Sequence, residues 1–379
     1  MSSSDKTTPS LEADAKKAKR AEIAAWKKIV APYEQPSTKK AIWQIINSMG
    51  ALIALWVLMF FTVEISWLLT IPIAIIAGGL VVRTFIIFHD CGHGSFLKSK
   101  RANNIIGYWA GVLTLTSYKH WRWEHAQHHA SSGDLDRPSL GEVWTMTVKQ
   151  YDESPKLTRI WYRIFRNPFV LFGIIPVILF AVLERFWTKG AKKNEIISII
   201  LTNIGIAFAI AGLIYAFGFW NYFFIHLTIT AVASMSGVWL FYVQHQFEDT
   251  YFERHHHWDY TSAALEGSSF YKLPRILQWF TGNIGFHHVH HLSSKIPNYN
   301  LEACHDSNEL FHSVKPLTLF SSLKSATFRL WDEDEKKLVG FKRVREYRTE
   351  KKENKLLEAV ATKLEDATKP VGPAVRTQS

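Results

Sequence analysis

The first long stretch without charged side chains is Ala41–Val63. About 20 consecutive apolar residues are enough for a helix to cross the hydrocarbon layer of a bilayer, so this stretch predicts one transmembrane helix. A second apolar stretch, Ile65–Val82, follows Glu64 and continues beyond Arg83 as far as Phe88. The short polar interruption between the two stretches predicts a transmembrane hairpin.

A third apolar region, Ile196–Phe247, carries no formal charge and is too long for a single membrane-spanning helix. The sequence GFWN at Gly218–Asn221 offers a break near its middle, because glycine and asparagine favour turns. The region therefore predicts a second hairpin, and its last helix is expected to end at Tyr242–His245.

Two shorter apolar segments do not fit a simple crossing. Ile105–Tyr118 is long enough only for a re-entrant or interfacial segment. Phe169–Leu183 has Gly173 and Pro176 near its middle and basic residues on both sides, so a crossing would place one basic group outside, against the positive-inside rule. We interpret it as surface-lying or re-entrant. The whole pattern predicts an all-α polytopic membrane protein with about four transmembrane helices in two hairpins, and with both termini and the loop 89–166 on the cytoplasmic side.

Charge is concentrated at the two ends of the 379-residue chain, whose formal net charge is +11. Residues 1–40 carry nine Lys or Arg against five Asp or Glu, and residues 341–379 carry ten against six. The two ends therefore hold most of the positive charge. Because these cationic ends flank apolar helices, they suit binding to an anionic cytoplasmic leaflet better than binding to nucleic acid. The content of 47% hydrophobic residues excludes a wholly disordered chain.

These features predict three regions. Residues 1–40 form a basic N-terminal tail, residues 41–340 form the membrane domain, and residues 341–379 form a charged, disordered C-terminal tail. Apolar residues such as Trp26 and Val30 recur at helical spacing among lysines, which allows either an amphipathic helix on an anionic surface or a solvated disordered tail. Two cysteines exclude a disulfide framework and make a reducing compartment the default.

Eight of the 17 histidines occur in three short groups. Spacings of three and four residues place the imidazoles of each group on one face of a helix. The groups are His89 and His93; His125, His128 and His129; and His287, His290 and His291.

Eight nitrogen donors exceed what one four- to six-coordinate ion uses, so two metal ions are implied. Imidazole suits zinc, copper, iron and nickel, so spacing alone does not select the metal. Hydrolysis at zinc would need a water-activating Glu, for which Glu124 and Glu248 are the candidates.

The order, spacing and flanking residues of these groups resemble those of the membrane fatty-acid desaturases, whose three histidine boxes hold a non-haem di-iron centre. HDCGHGSF at residues 89–96 resembles the first box, and GNIGFHHVHHLSSKIPNYN at residues 282–300 is similar to the third. YVQHQFEDTYFE, from Tyr242, and EGSSFYKLP, from Glu266, look most like bacterial acyl-lipid desaturases of the delta-5 or delta-12 type. The resemblance covers about residues 40–340.

The resemblance implies a cytoplasmic, histidine-rich cap that holds two iron ions with nine histidine ligands. The ninth ligand of the family lies at the cytoplasmic end of the last transmembrane helix, a place that His245 occupies. The implied ligands are His89, His93, His125, His128, His129, His245, His287, His290 and His291. Nearby carboxylates would orient the rings, and the candidates are Asp90, Glu124, Asp134 and Glu248, with local backbone capping as an alternative role for Asp90.

The resemblance also implies an O2-dependent oxidoreductase that introduces a cis double bond into acyl chains of membrane glycerolipids. Acid–base side chains cannot remove hydrogen from an unactivated methylene, so a metal must activate dioxygen. Electrons would come from a separate ferredoxin, flavodoxin or cytochrome b5-like donor, and no nucleic-acid partner is expected. A hydroxylase or ketolase on the same scaffold is the alternative oxidoreductase. A metal transporter is disfavoured, because His226, expected to be a hydrogen-bonded interior residue, stands nearly alone within the spans.

The remaining histidines are expected to lie outside the metal-binding set. His288 breaks the helical register of its group and suits a supporting or solvent-facing position, and His120 only precedes the second group. Three consecutive histidines at 255–257 cannot share a helical face and suit an exposed loop. His305 and His312 are expected at the surface.

Overall fold

Four long apolar helices joined in pairs form the centre of the fold. The computed structural model describes residues 25–138 and 141–368. The four helices, numbered spans 1 to 4, are Thr38–Thr62, Trp67–His93, Lys193–Phe217 and Phe219–His245. At a rise of 1.5 Å per residue each is about 37 to 40 Å long, which is enough to cross a bilayer. The prediction of an all-α membrane protein with two transmembrane hairpins is confirmed.

Helices dominate the described part of the chain. In chain order the α-helices are α1 (Thr38–Ile45), α2 (Ala51–Thr62), α3 (Trp67–His93), α4 (Lys100–Leu113), α5 (Tyr118–Ser131), α6 (Val148–Glu153), α7 (Lys156–Phe165), α8 (Ile175–Ala181), α9 (Lys193–Phe217), α10 (Phe219–His245), α11 (Tyr260–Leu265), α12 (Arg275–Phe280), α13 (His287–Leu292), α14 (Asn298–His305), α15 (Glu309–His312) and α16 (Arg343–Thr368). Short 3-10 or π turns occupy Ala31–Glu34, Ile46–Gly50, Val170–Ile174, Leu183–Arg185 and Ser321–Thr327. Span 1 comprises α1, a π turn and α2, and spans 2, 3 and 4 are α3, α9 and α10.

Residues that cap or break helices set the ends of the spans. The Ser66 side chain caps the start of α3, and Gly94, with φ 72°, ends that helix in the left-handed conformation that glycine tolerates best. Gly218, with φ 73°, separates α9 from α10, as the sequence predicted. A Cβ at Gly78 would lie 2.7 Å from the Val232 side chain, so glycine is required where α3 and α10 approach each other.

The two shorter apolar segments lie against the bundle. The first forms α4, which packs on α3 and α9. The second forms the π turn Val170–Ile174 followed by α8, and it is bent by 58° relative to α7. By length and composition this bent pair is either a broken span or a re-entrant loop, so the described chain contains four apolar spans, or five if the pair is one span. The surface-lying or re-entrant interpretation of 169–183 stays a prediction.

Two small sheets lie among the connections between the helices. The strands are β1 (Met146–Thr147), β2 (Phe270–Lys272), β3 (Pro316–Thr318), β4 (Leu330–Asp332) and β5 (Lys337–Val339). β1 pairs in parallel with β4, which pairs antiparallel with β5, and β2 pairs in parallel with β3. The first sheet joins the connection after α5 to the C-terminal part of the chain. The second joins the segment before α13 to the segment after it.

The N-terminal region packs on the protein where it is described. Residues 25–30 are helical, and Trp26 and Val30 are 8% and 1% exposed within the main hydrophobic core. The sequence allowed either a helix on a membrane surface or a disordered tail. Residues 25–30 fit neither expectation, because they are helical and the side chains of Trp26 and Val30 pack against the protein. Residues 1–24 of the predicted tail lie outside the described residues.

The described part of the C-terminal region, residues 341–368, also differs from the expectation of disorder, whereas residues 369–379 of the predicted tail lie outside the described residues. It forms α16, a helix of 26 residues. Arg343, at its first position, pairs with Asp332 of β4 at 2.6 Å, and Arg348 pairs with Asp152 of α6 at 2.6 Å. These long-range ion pairs attach the first turns of the helix to the body, and composition alone does not reveal such partners.

Candidate metal centre

The predicted histidines lie at or near helix ends that the fold holds at one end of the bundle. His89 and His93 occupy the last two turns of α3, and His245 is the last residue of α10. The second group lies on α5, and the third group forms most of α13. Because α3 packs along α10 and against α5, these helix ends meet.

Five of the histidines form one group, which we call the five-histidine group. Its members are His89, His93, His125, His129 and His290, and each offers one ring nitrogen within 4.8 Å of the others. The Nε2 atom of His129 lies 3.1 Å from Nε2 of His125 and 3.1 Å from Nε2 of His290. All three sequence groups therefore contribute to this one cluster.

The other four histidines form a second group, the four-histidine group. Its members are His128, His245, His287 and His291, again with one nitrogen each within 4.8 Å. The Nε2 atoms of His245 and His287 are 2.9 Å apart. The two groups adjoin, since the rings of His129 and His291 stack with their centroids 4.3 Å apart. Together the groups contain the nine histidines that the sequence singled out.

The rings are removed from water and present free nitrogens. His287, His290 and His291 are at most 3% exposed, and burial lowers the pKa of each well below its ordinary value, with neighbouring imidazoles adding to the shift. The Nε2 atoms of His93, His128 and His291 are buried and have no hydrogen-bond partner among the described residues. Neutral, convergent imidazoles with unused lone pairs fit metal ions, which explains why so many polar nitrogens are buried together.

Three of the rings are oriented from outside by oxygen acceptors. Nδ1 of His89 lies 2.9 Å from Oδ1 of Asp90, and Nδ1 of His128 lies 3.3 Å from Oε1 of Glu142. Nδ1 of His245 lies 3.1 Å from the carbonyl oxygen of Gly267. An acceptor on Nδ1 places the proton there and leaves Nε2 as the donor atom for a metal. Glu142 was not found from the sequence, because a loop residue 14 positions after His128 carries no periodic signal.

Three of the four carboxylates proposed from the sequence as orienters of the ligand rings have other partners. Asp134 contacts Arg137 at 2.8 Å, and Glu248 pairs with Lys324. Glu124 accepts a hydrogen bond from a threonine hydroxyl at 3.0 Å. The prediction is therefore wrong for Asp134, Glu124 and Glu248, since proximity in sequence to a histidine group does not determine the partner in the fold.

The histidines expected outside the set lie outside both groups. His288 is fully buried on the other side of α13, where its Nε2 lies 3.1 Å from Nδ1 of His305. His305 is only 7% exposed, so the surface expectation is wrong for it, whereas His312 is exposed. Nε2 of His120 lies 3.0 Å from a threonine hydroxyl, and residues 255–257 are exposed. His305 and His312, with the intervening Asp306, form a third, partly exposed donor group.

A long apolar cavity leads from the histidines into the bundle. It has a volume of ≈ 600 Å³. His89, His125, His128 and His287 line one end, and Trp56 and Tyr222 line the other. His226 also lines this cavity and stacks on Tyr222 with ring centroids 5.1 Å apart. The sequence predicted a hydrogen-bonded His226, but its ring forms no hydrogen bond with any of the described residues. An apolar tunnel that ends at a metal-binding cluster suits a hydrocarbon chain.

The family model of fatty acid desaturases matches residues 65–313, which include the nine histidines of the two groups. The chain belongs to the fatty acid desaturase family. This desaturase is 46% identical over 318 residues to the fatty acid desaturase of Bacillus subtilis (strain 168), an alignment that covers 84% of this chain and 90% of the relative. It is also 26% identical over 279 residues to the sn-1 oleoyl-lipid 12-desaturase of Synechocystis, covering 72% of this chain and 77% of the relative. The sn-1 acyl-lipid omega-3 desaturase (ferredoxin) of the same organism is 29% identical over 250 residues, or 62% of this chain and 66% of the relative.

The family therefore agrees with the resemblance read from the histidine groups. Its named relatives are lipid desaturases, which are oxidoreductases, so the hydroxylase or ketolase alternative is not favoured. The described chain combines four apolar spans with buried or partly buried histidine groups that are compatible with metal binding.

Proposed function

We propose that the protein is an O2-dependent desaturase that introduces a cis double bond into acyl chains of membrane glycerolipids. The observation that carries the proposal is that nine histidines converge in two adjoining groups, one buried and one partly buried, at the end of an apolar cavity. The names of the cyanobacterial relatives, which act on oleoyl or acyl lipids, support a lipid-linked acyl chain as the substrate. The catalytic unit is the membrane domain, residues 41–340.

The five-histidine group and the four-histidine group each hold one iron ion in this proposal. Imidazole is a suitable ligand for iron, and two adjoining groups of neutral rings give every ion at least four nitrogen donors. Two bound iron ions would supply the dioxygen activation and the oxidising power that a methylene requires. The residues proposed as ligands are the nine histidines of the two groups.

The chain's own side chains prepare this centre in three ways. Asp90 and Glu142 hold the rings of His89 and His128 with Nε2 available to a metal. Trp121 stacks on His125 with ring centroids 4.2 Å apart and fixes its plane. The buried surroundings keep bulk water from the reacting methylene and keep the imidazoles neutral.

The apolar cavity receives the acyl chain and sets its depth. The chain enters from the histidine end, and its terminal part extends between spans 1, 3 and 4 toward Trp56 and Tyr222. The carbon that lies beside the histidines is then the one that loses hydrogen. Cavity length, rather than a polar contact, selects the position of the double bond.

The histidine groups and both termini lie on the cytoplasmic side in this proposal. Four crossings put the start of span 1 on the same side as the ends of spans 2 and 4, and Ser37, before span 1, donates a hydrogen bond from its backbone nitrogen to Tyr299 at 2.9 Å, near the third group. The excess of Lys and Arg in the terminal regions supports the same orientation. Electrons arrive there from a separate ferredoxin, flavodoxin or cytochrome b5-like donor, and one relative's name includes ferredoxin.

Product analysis tests the proposal directly. The gene is expressed in a host that lacks unsaturated-lipid synthesis, and lipids are analysed by mass spectrometry. A desaturase gives acyl chains lighter by two hydrogens, whereas gain of one oxygen would indicate a hydroxylase and contradict the proposal. Metal analysis of the purified protein is expected to give about two iron ions per chain. A single tightly bound zinc ion would indicate hydrolytic chemistry instead.

A further inference from the structure

A second cleft, with a strongly basic lining, lies between α7 and the start of α16 and is separate from the histidine cavity. It has a volume of ≈ 370 Å³. Its cationic lining residues are Lys156, Arg159, Arg163, Lys342, Arg345 and Arg348. Within the described part of the chain, Asp and Glu are not among the lining residues. The cleft therefore concentrates positive charge in a concave space.

Contacts with neighbouring side chains fix both walls of this basic cleft. In the α7 wall, Nε of Arg163 donates a hydrogen bond to the Tyr151 hydroxyl at 2.6 Å, and its guanidinium lies 4.1 Å from the Phe341 ring centroid. In the α16 wall, Arg348 pairs with Asp152 at 2.6 Å. The cations are thus held on two elements that are attached to the same body, rather than on loose loops.

Three of the cations have no polar side-chain partner within the described part of the chain. Lys156, Arg159 and Arg345 form no ion pair and no side-chain hydrogen bond with any of the described residues. The cleft therefore retains a positive excess, and the repulsion between these groups is relieved only by solvent or by a bound anion.

The outer face of α7 places the cleft at a membrane surface. Its exposed apolar stripe consists of Leu157, Ile160, Trp161 and Ile164, which are 65%, 44%, 59% and 43% exposed. These positions share one side of the helix, and each basic residue of α7 is the sequence neighbour of a stripe residue. A helix with such a stripe lies in the interface with its apolar side among acyl chains and its basic side at the level of the phosphates. Ile160 belongs to both the stripe and the lining of the cleft.

We propose that the basic cleft is a binding site for the phosphate headgroup of an anionic glycerophospholipid. The concave shape, the three unpaired cations and the adjoining interfacial stripe each suit a lipid whose phosphate enters the cleft while its acyl chains stay beside α7. An acidic protein would approach from the aqueous side and would not use the stripe. The bound lipid anchors the α7–α16 region to the membrane, and this role does not depend on the desaturase reaction.

The test measures lipid retention by the full-length protein. The protein is placed in nanodiscs of phosphatidylcholine containing phosphatidylglycerol, extracted in detergent, and examined by native mass spectrometry for bound lipid. Wild type is expected to retain phosphatidylglycerol in preference to phosphatidylcholine. The double variant Arg159→Gln/Arg345→Gln is expected to retain it about tenfold less, because each basic residue near an anionic surface contributes to lipid affinity.

A matched control removes two charges from the exposed segment that joins the end of β2 to the start of α12. Lys272 and Arg275 are exposed, and α12 carries its own exposed apolar residue, Ile276, which is 73% exposed. Lys272→Gln/Arg275→Gln is expected to retain phosphatidylglycerol as wild type does. The proposal would be overturned if the cleft variant retained as much phosphatidylglycerol as wild type, or if the control variant lost as much of it as the cleft variant. Full displacement of the lipid by millimolar inorganic phosphate would also overturn it. So would a cleft variant that keeps its lipid but loses binding to an acidic flavodoxin or ferredoxin.

Discussion

The carboxylate of Asp90 connects the first histidine group to Asn298, the first residue of α14. Oδ2 of Asp90 accepts hydrogen bonds from the backbone nitrogen of Asn298 at 2.6 Å and from its Nδ2 at 2.7 Å, while Oδ1 lies 2.9 Å from Nδ1 of His89. Oδ1 of Asn298 in turn accepts a hydrogen bond from Gln44 of span 1 at 3.0 Å. A single buried carboxylate therefore joins a proposed iron ligand to the helix after the third group and to span 1.

Replacing Asp90 with Asn is expected to lower metal content and activity together. An amide cannot accept from both donors of Asn298 and from His89 without turning an N–H toward another donor, which leaves buried polar groups unsatisfied. Loss of such an outer partner typically costs tenfold to a hundredfold in metal affinity or activity. Iron per chain and double-bond formation in the same membrane preparation measure the effect.

The matched control for Asp90→Asn is Glu248→Gln. Glu248 was an equal candidate from the sequence, but its carboxylate pairs with Lys324, and the two side chains are 42% and 62% exposed. An exposed ion pair contributes little to stability, so this variant is expected to keep wild-type iron and activity. Equal losses of iron and activity in both variants would contradict the role assigned to Asp90, because they would show a general effect of removing a carboxylate.

The membership of the two histidine groups was predictable from the sequence because its signal is local, whereas the role of these histidines as ligands stays a prediction. Spacings of three and four residues place the rings of one group on one helical face, and family resemblance added His245. The tertiary fold brings the groups together and supplies the partners that orient the rings, as when Glu142 reaches His128 from a loop. The contact between His288 and His305, which lie on different helices, is tertiary too. The same holds for α16, whose attachment through Arg343 depends on a strand that the charge pattern does not reveal.

Replacing Glu142 with Gln is expected to have a smaller effect than replacing Asp90. The contact between Glu142 and His128 is longer, at 3.3 Å, and the Glu142 side chain is 19% exposed against 1% for Asp90, so water can replace it. We expect activity reduced by up to about tenfold, with iron largely retained. Activity and iron per chain for both variants in parallel give the ranking, and a greater loss for Glu142→Gln would reverse the proposed order of importance.

Filling the cavity at Gly237 is expected to restrict the acyl chains that the enzyme accepts. Gly237 lines the cavity eight residues before His245 on α10, about 12 Å along the helix axis, and a Cβ built there meets nothing within 4 Å. Gly237→Leu has room for its side chain and removes a poor helix former, so the helix is expected to remain stable. Activity on long chains should fall more than activity on short ones, as measured by gas chromatography of the products.

The control for the cavity variant places the same side chain on the lipid-facing side. Ser236 is exposed and adjoins Gly237 on α10. Ser236→Leu is expected to leave the distribution of products unchanged, since its side chain points into the bilayer. A similar change of products in both variants would show that a bulkier α10, rather than a shorter cavity, alters the specificity.

The two histidine groups are expected to lose iron separately. His245 belongs to the four-histidine group and His93 to the five-histidine group, so if each group holds its own ion, His245→Ala and His93→Ala should each lower iron from about two toward one per chain. Activity should be lost in both, since the reaction needs both ions. His226→Ala is the matched control, because His226 lies on the same helix as His245 but in neither group, and it should keep its iron. Loss of all iron in either single variant would show that the nine histidines act as one cooperative site rather than as two.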